Sequence, residues 1–285
     1  NVFFLVDNDG KFAAFMLNEE ADKLISLKSD INALFNSPVL GYNSKDDIVY
    51  QFWANRDSHE VYYFDPKTDY APTTAISSIS WDDPNFPNIE GFGVWAAKCN
   101  FTMGPDGKMY SRMLGGNLVR IDVENARGEN LTNGDLVGTK DGSAYGLVFD
   151  PQDENVFYFS NNDKHCIYKY DLRTKECACW AGQEGKSGYL DGPIGQAMFN
   201  KPGQMCVDSE GNIILTDTEN HCIRKITMST GYVSTLAGKP QNSGYVNGSA
   251  EDAQFKKPLG ICIDNDDVMY IGDSENRAIR RLAVE

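Results

Sequence analysis

The dominant feature of this sequence is an internal repeat with a constant period of 56 residues. The segment 187–226 recurs without a gap at 243–282. Equivalent residues are Phe199 and Phe255, Pro202 and Pro258, Asp217 and Asp273, and, one period earlier, His165 and His221. A fixed period of this length indicates a repeat architecture, in which each unit buries its apolar faces against its neighbours.

Each repeat unit has the pattern of four short β-strands joined by tight turns. In the unit 202–238, short apolar runs alternate with turns that contain Gly, Asn and Asp, and helical periodicity is lacking. A four-stranded antiparallel unit that recurs around an axis is a propeller blade. The second strands of the units are predicted to start near residues 11, 48, 108, 156, 213 and 268.

These starts predict an all-β fold, a six-bladed β-propeller of four-stranded antiparallel blades that forms a single domain over residues 1–285. The blades are predicted at approximately 1–36, 37–80, 94–137, 142–182, 202–238 and 258–285. The last blade ends after its third strand and lacks its own fourth strand. Because an open blade leaves unpaired edges, we expect either that residues before Asn1 supply this strand or that side-chain packing holds the closure.

The repeat resembles the NHL repeat family. The residues that carry the resemblance are Pro202-Gly203, Val207-Asp208, Gly211-Asn212, Asp217 and Asn220-His221-Cys222-Ile223-Arg224-Lys225-Ile226. The likeness is close over 187–282 and weaker over 142–182. The long segment between blades is similar to that of secreted or surface-anchored NHL-repeat proteins of gut Bacteroidetes. This resemblance implies a location in the cell envelope or outside the cell, and an immunoglobulin-like domain upstream.

The charge of the chain argues against nucleic acid as a partner. The net charge is −15 and the sequence pI is about 4.6, whereas nucleic-acid binders need clustered Lys and Arg. Some NHL propellers bind RNA through a basic face, but the longest basic run here is Arg280-Arg281. No apolar run is long enough to cross a bilayer, so we expect no membrane insertion. The chain begins at Asn1 without Met, and we interpret it as a mature or trimmed form.

The seven cysteines do not identify a compartment. They lie at positions 99, 166, 177, 179, 206, 222 and 262, mostly inside predicted strands. We therefore expect buried free thiols that pack as small apolar side chains.

Residues that depart from the repeat are our candidates for ligand binding. The first three blades diverge most, and a long polar connection follows the second blade at 81–93. Aromatic side chains flanked by polar groups are typical of sugar and peptide sites. The candidates are Trp53, Asn55, Arg56, His59, Trp81, Trp95 and Arg112. The alternative is that the tryptophans pack between blades.

A second interpretation places a divalent metal in the central channel. Asn161, Asp217 and Asp273 end the second strands of their repeats, and oxygen ligands of this kind bind Ca²⁺ in six-bladed lactonases and arylesterases. The alternative is that each side chain caps its own loop by accepting backbone N–H bonds. The histidines at positions 59, 165 and 221 also share one repeat position, which makes a metal site conceivable, although Asn-His belongs to the repeat pattern itself.

No sequence motif identifies a reaction. We therefore expect a non-enzymatic binding module whose ligand is a glycan or a protein, with no cofactor. The alternatives that stay open are a divalent-metal-dependent hydrolase of the lactonase or arylesterase type, with Ca²⁺ as its ion, and a structural scaffold.

Overall fold

The computed structural model describes residues 2–6, 12–17, 24–31, 39–43, 48–54, 59–68, 71, 73–82, 102–112, 116–132 and 145–283, with side-chain detail from Val61 onwards. The chain divides into two compact units, Asn1–Asn133 and Gly134–Glu285. In the described ranges the regular elements are β-strands and three short 3₁₀ helices. None of the described helices is long and apolar enough to cross a membrane.

The described part of the first unit contains three sheets. The first sheet has the order β1 (Val2–Val6), β2 (Phe12–Leu17) and β3 (Leu24–Ile31). The second has β4 (Val39–Asn43), β5 (Ile48–Ala54), β6 (His59–Phe64) and β7 (Thr73–Ile76), with a 3₁₀ helix at Pro66–Thr68. The third has the order β8 (Ser80–Trp81), β12 (Arg127–Asn130), β11 (Leu118–Asp122), β10 (Met109–Arg112) and β9 (Thr102–Met103).

The second and third sheets bury one apolar core between them. Its buried members come from both sheets and from the link between β7 and β8: Val61, Ile76, Ile79, Met109, Val119 and Ile121. The hairpin from β9 to β10 turns at Gly107, whose φ of 75° suits glycine. The carboxylate of Asp106 accepts the amide N–H of Lys108 at 3.1 Å and fixes this turn.

The second unit also contains three sheets. The fourth sheet has β13 (Leu147–Phe149), β14 (Val156–Asn161), β15 (Cys166–Asp171) and β16 (Cys177–Gly182). The fifth has the order β17 (Gly192–Pro193), β21 (Tyr232–Ala237), β20 (Cys222–Thr227), β19 (Ile213–Asp217) and β18 (Pro202–Val207). The sixth has β22 (Pro258–Ile263), β23 (Met269–Asp273) and β24 (Ala278–Leu282). The 3₁₀ helices Thr218–Asn220 and Ser274–Asn276 follow β19 and β23.

The sheets of the second unit stack face to face, as expected for repeats that bury their faces against one another. One core joins the fourth and fifth sheets through residues such as Tyr158 and Leu215. Another joins the fifth and sixth sheets through residues such as Ile214 and Ile271. Strand β19 is buried along its whole length, and its mostly apolar sequence follows from this two-sided burial.

Two sheets contain a strand that the sequence pattern did not predict. The second blade was predicted to end at residue 80, but Ser80–Trp81 pairs in parallel with β12 of the third sheet. Likewise, β17 pairs with β21 at the outer edge of the fifth sheet. In both cases the chain passes along the outer edge of the next sheet on its way to that sheet's first strand, and so covers backbone groups that would otherwise be unpaired.

The strand number therefore varies among the sheets of the described residues. Four of the six sheets have four or five strands, and the first and last have three. The third strand of the first blade was predicted at residues 23–27 and is longer, at Leu24–Ile31. The predicted fourth strand at 32–35 lies outside the described residues. The last sheet has three strands among the described residues, and the absence of a fourth strand from the last blade stays a prediction.

Candidate functional site

A buried ion pair connects Asp217, at the end of β19, with Arg224 on β20. The Nη1 of Arg224 donates to Oδ2 of Asp217 at 2.7 Å, and both side chains are fully buried. The side chain of Asn220 donates to the same oxygen at 2.9 Å, and the amide of Asn200 donates to Oδ1 at 2.7 Å. Burial raises the pKa of Asp217 to about 6, while Arg224 acts in the opposite direction. At neutral pH the pair is therefore charged.

The guanidinium of Arg224 also holds the segment 188–199, which precedes β18. Its two Nη atoms donate to the carbonyls of Met198 at 3.1 Å and Leu190 at 3.0 Å, and to Oδ1 of Asp191 at 2.6 Å. The guanidinium carbon lies 4.9 Å from the ring centre of Tyr189 and 5.2 Å from that of Phe199. One side chain thus fixes this segment through hydrogen bonds and cation–π contacts.

The same network recurs one period later. The Nη1 of Arg280 donates to Oδ2 of Asp273 at 3.0 Å. The side chain of Asn276 donates to the same oxygen at 2.8 Å, and the amide of Lys256 donates to Oδ1 at 2.7 Å. The partners that hold the preceding segment are the carbonyls of Gln254 and Val246 and the rings of Tyr245 and Phe255. The single change is that Asn247 replaces Asp191.

The residues proposed as metal ligands therefore have protein partners. Asn161 caps its own loop, because its Oδ1 accepts the Lys164 amide at 3.1 Å. Asp217 and Asp273 do not cap the 3₁₀ helices that follow them, so the predicted capping role is wrong for these two. Within the described residues no group of three His, Cys, Asp or Glu side chains is placed to hold a metal. The Ca²⁺ site of the alternative interpretation stays a prediction.

The histidines of the second unit hold the next segment of chain. His165 and His221 have left-handed φ values of 57° and 59°. The Nδ1 of His165 accepts the Lys201 amide at 3.1 Å, and that of His221 accepts the Lys257 amide at 3.2 Å. Burial and Lys201 lower the pKa of His165, which favours the neutral ring that this acceptor role requires. The side chain of His59 lies outside the described residues.

The structure brings some of the predicted ligand-binding residues together. Strands β5 and β6 pair so that Trp53 is opposite Glu60 and Ala54 is opposite His59, which places both candidates at one end of a hairpin. Asn55, Arg56 and Trp95 lie outside the described residues.

Two further candidates are packed. Trp81 is half-buried against the core of the second and third sheets, and it lies so close to Gly128 that a Cβ there would be 2.4 Å from its ring. Arg112 is only 2% exposed.

A cavity of about 400 Å³ lies at the end of β21, between this strand and the turn at 249–252. Its lining comes from the segment that joins the fifth and sixth sheets: Thr235, Leu236, Ala237, Gly238, Lys239, Pro240, Asn242, Ala250 and Glu251. Leu236, Pro240 and the two alanines are apolar, whereas Lys239, Asn242 and Glu251 supply an ammonium, an amide and a carboxylate. The cavity thus combines apolar surface with separate polar groups, which is typical of small-ligand sites.

Hydrogen bonds within the segment fix the shape of this cavity. The amide of Gly238 donates to the carbonyl of Ala250 at 2.8 Å, and the amide of Gln241 donates to the carbonyl of Asn220 at 2.8 Å. Lys239 pairs with Asp252 at 3.1 Å and lowers the pKa of that carboxyl group. The walls are therefore held by the backbone, and the ammonium of Lys239 lies at one side next to Asp252.

Comparison of the two repeats shows which of the residues that line this cavity differ from the preceding repeat. Leu236, Lys239 and Pro240 stand where the preceding repeat has Trp180, Gln183 and Glu184. In that repeat the Trp180 ring packs on Tyr158 at 4.2 Å. The predicted ligand-binding residues lie in the first three blades, whereas this exchange of a large side chain for a smaller one lies within the well-matched repeats.

The six described cysteines are free, as predicted. Cys166 and Cys222 are buried, but Cys262 is exposed, so the expectation of buried thiols is wrong for this residue.

Comparison with known proteins identifies the repeat. The NHL repeat family matches residues 199–226. NHL repeat-containing protein 2 of Gallus gallus is 30% identical over 152 residues, which are 53% of this chain and 19% of that protein. Protein SUPPRESSOR OF QUENCHING 1, chloroplastic, of Arabidopsis thaliana is 25% identical over 271 residues, which are 88% of this chain and 25% of that protein. The chain thus spans about a quarter or less of these relatives.

Solved structures extend the likeness to the whole chain. A structural genomics protein of unknown function from Bacteroides thetaiotaomicron has a TM-score of 0.81 at 23% identity, over 100% of this chain and 67% of that one. An auxiliary nutrient binding protein from the same organism has a TM-score of 0.74 at 21% identity, over 99% and 66%. The fold is therefore an all-β propeller. The family model identifies an NHL repeat at residues 199–226, as the sequence predicted.

Proposed function

We propose that this chain is a six-bladed NHL propeller that acts as a non-enzymatic binding module in the cell envelope or outside the cell, with a glycan as its ligand. The observation that carries the proposal is the likeness of fold, over 99% of the chain, to a protein described as an auxiliary nutrient binding protein. A second such protein, from Bacteroides ovatus, has a TM-score of 0.75 over 100% of the chain. The six sheets of the described residues support the blade number.

The cavity at the end of β21 supports a small polar ligand. Its volume of about 400 Å³ falls in the range of ligand pockets, and it has room for one or two sugar rings. Lys239, Asn242 and Glu251 offer donors and acceptors for hydroxyl groups, while Leu236 and Pro240 offer apolar contact for a ring face. A glycan fits this mixture better than a phosphorylated ligand, because Lys239 is already paired with Asp252 and the chain is acidic overall.

The hairpin end with Trp53 and His59 is the second contact surface that we propose, together with Asn55, Arg56 and Trp95. Its support is the register that brings Trp53 and His59 to the same end of β5 and β6.

The test is calorimetric titration of the purified chain with a panel of oligosaccharides. Leu236→Trp copies the preceding repeat and fills the cavity, and Leu236→Met is the matched control that keeps its volume. We expect the first variant to abolish binding and the second to retain it, with similar melting temperatures. If Trp53→Ala abolishes binding and Leu236→Trp does not, the ligand binds the hairpin instead.

Two results would overturn the proposal. One is the absence of binding to every oligosaccharide, with retention of a protein ligand. The other is Ca²⁺-dependent hydrolysis of lactones or esters by the purified chain, which would establish the enzyme interpretation.

A further inference from the structure

Two cysteines lie side by side on neighbouring strands of the fourth sheet. Cys166 begins β15, and Cys179 lies within β16. In the register of these strands Cys166 is opposite Gly182, and a bulge follows before Tyr168. Because the bulge brings Cys179 opposite Tyr168, the side chains of both cysteines project from the same face of the sheet.

Contacts of the sulfur atoms place the two thiols next to each other. The Sγ of Cys179 lies 3.8 Å from the carbonyl oxygen of Gly182, the residue opposite Cys166. A side-chain hydrogen bond also joins the two thiols directly. Both cysteines are free, so two reduced sulfur atoms meet across this strand pair.

The two thiols differ in exposure and in acidity. Cys166 is 0% exposed, whereas Cys179 is only half-buried. The hydrogen bond from Cys166 lowers the pKa of Cys179, and the same bond, together with burial, raises the pKa of Cys166. These environments suit Cys179 as a nucleophile that an oxidant can reach, and Cys166 as the thiol that resolves the intermediate.

The next repeat shows that the pair is specific to the fourth sheet. Cys222 stands where this sheet has Cys166, but Thr235 stands where it has Cys179. The hydroxyl of Thr235 lies 2.7 Å from the hydroxyl of Tyr189. The fifth sheet therefore keeps the buried thiol and has a threonine in place of the second one. This difference makes Cys222 a matched reference for Cys166.

We propose that Cys166 and Cys179 form a redox-active dithiol that a disulfide oxidant converts to a disulfide bond between β15 and β16. The thiolate of Cys179 attacks one sulfur of the oxidant, and the other sulfur leaves as a thiolate that takes up a proton. Cys166 then gives up its proton, and its sulfur attacks the Sγ of Cys179 and expels the second thiol of the oxidant. Two protein thiols are oxidised, and one disulfide is reduced to two thiols.

The bond joins the last two strands of a sheet that lacks the arginine clamp of the next one. Tyr168 stands where the fifth sheet has Arg224. A covalent link at this place stabilises the sheet by restricting the unfolded chain. Such links form in oxidising compartments, which include the cell envelope and the exterior. The dithiol lies apart from the cavity at the end of β21, so either proposal can fail without the other.

The experiment treats the native whole chain with glutathione disulfide, blocks the remaining thiols at low pH and maps the tryptic peptides by mass spectrometry. We expect the loss of two of the seven thiols. The peptides 165–169 and 176–186 should be joined by a bond that dithiothreitol breaks, and fragment ions should identify Cys179, not Cys177, as the partner of Cys166. Cys222 is the internal control and is expected to keep its thiol.

Two variants copy the residues of the fifth repeat. Cys179→Thr is expected to abolish the bond and the loss of both thiols, because Cys166 then has the surroundings of Cys222. Cys177→Val is the matched control on the same face of β16 and should form the bond as the native chain does. Oxidation should raise the melting temperature of the native chain and of Cys177→Val, and leave that of Cys179→Thr unchanged.

Three outcomes would overturn the proposal. The first is the absence of the joined peptides from the native chain under conditions that fully oxidise dithiothreitol, a result that does not depend on the folding of any variant. The second is a joined pair of peptides that persists in Cys179→Thr, which would make Cys177 the partner. The third is a stable mixed disulfide of glutathione on Cys179 that Cys166 does not resolve.

Discussion

Arg224 is predicted to be the side chain on which the stability of the second unit depends most. Replacement by Met keeps apolar contact with Phe199 and Tyr189 but removes the charge. The carboxylate of Asp217 then remains fully buried without its partner, and the carbonyls of Met198 and Leu190 lose their donors. Breaking a buried ion pair by removal of one member typically costs about 3–5 kcal/mol. We expect Arg224→Met to lower the free energy of unfolding by about this amount.

The neighbouring repeat provides the matched variant. Arg280 makes an equivalent set of contacts, but it has one carboxylate partner instead of two. We therefore expect Arg280→Met to cost less, about 2–3 kcal/mol. Urea unfolding followed by circular dichroism measures both values.

A cycle with Asp217→Asn tests the cause. Because the uncharged amide needs no cation, Arg224→Met should cost about 1–3 kcal/mol less in the Asp217→Asn background than in the native chain. If Arg224→Met lowers the free energy of unfolding by less than about 1 kcal/mol, or if the two changes are fully additive, the buried pair does not hold the segment 188–199 in place.

Two pH dependences follow from the same region. The pKa of Asp217 is raised to about 6 in the folded chain, so the folded state binds the carboxyl proton more tightly than the unfolded state does. The stability that this group contributes therefore falls as pH rises from about 4 to 6. In urea unfolding across this range, the stability of the native chain should decline relative to that of Asp217→Asn, and the opposite trend would contradict the raised pKa. The pKa of His165 is lowered, so its contribution is full above the ordinary histidine pKa of about 6.5 and is lost as pH falls through the folded value. The variant His165→Asn, which tolerates the left-handed backbone, should lack this loss, and equal pH profiles for the variant and the native chain would refute it.

The repeat period explains why the fold was predictable and the added strands were not. The 56-residue period shows which residues of neighbouring repeats are equivalent. The strands of the second unit could therefore be placed from Asp217, Pro202 and their equivalents. The pairing of Ser80–Trp81 and Gly192–Pro193 with the outer edge of the next sheet depends on the path of the connecting chain, and these two-residue strands carry no periodic pattern. The sequence also could not show that Arg224 pairs with Asp217, since that contact depends on how the strands register.

The candidate site was less predictable than the fold. The difference between Trp180 and its equivalent Leu236 is visible when the repeats are aligned. The cavity also depends on the path of the segment 238–252 over the end of β21, which the alignment does not show. Arg112, chosen for its charge, proved to be buried, because a charge alone does not report on the packing around it.

The most direct test of the account is calorimetric titration of the native chain and of Leu236→Trp with the oligosaccharide panel, with lactone and ester hydrolysis assayed on the same samples with and without Ca²⁺. The account predicts saturable binding of a glycan by the native chain, its loss in Leu236→Trp, and no turnover of any substrate. Hydrolysis that requires Ca²⁺, or glycan binding that Leu236→Trp and Trp53→Ala both leave unchanged, would contradict it.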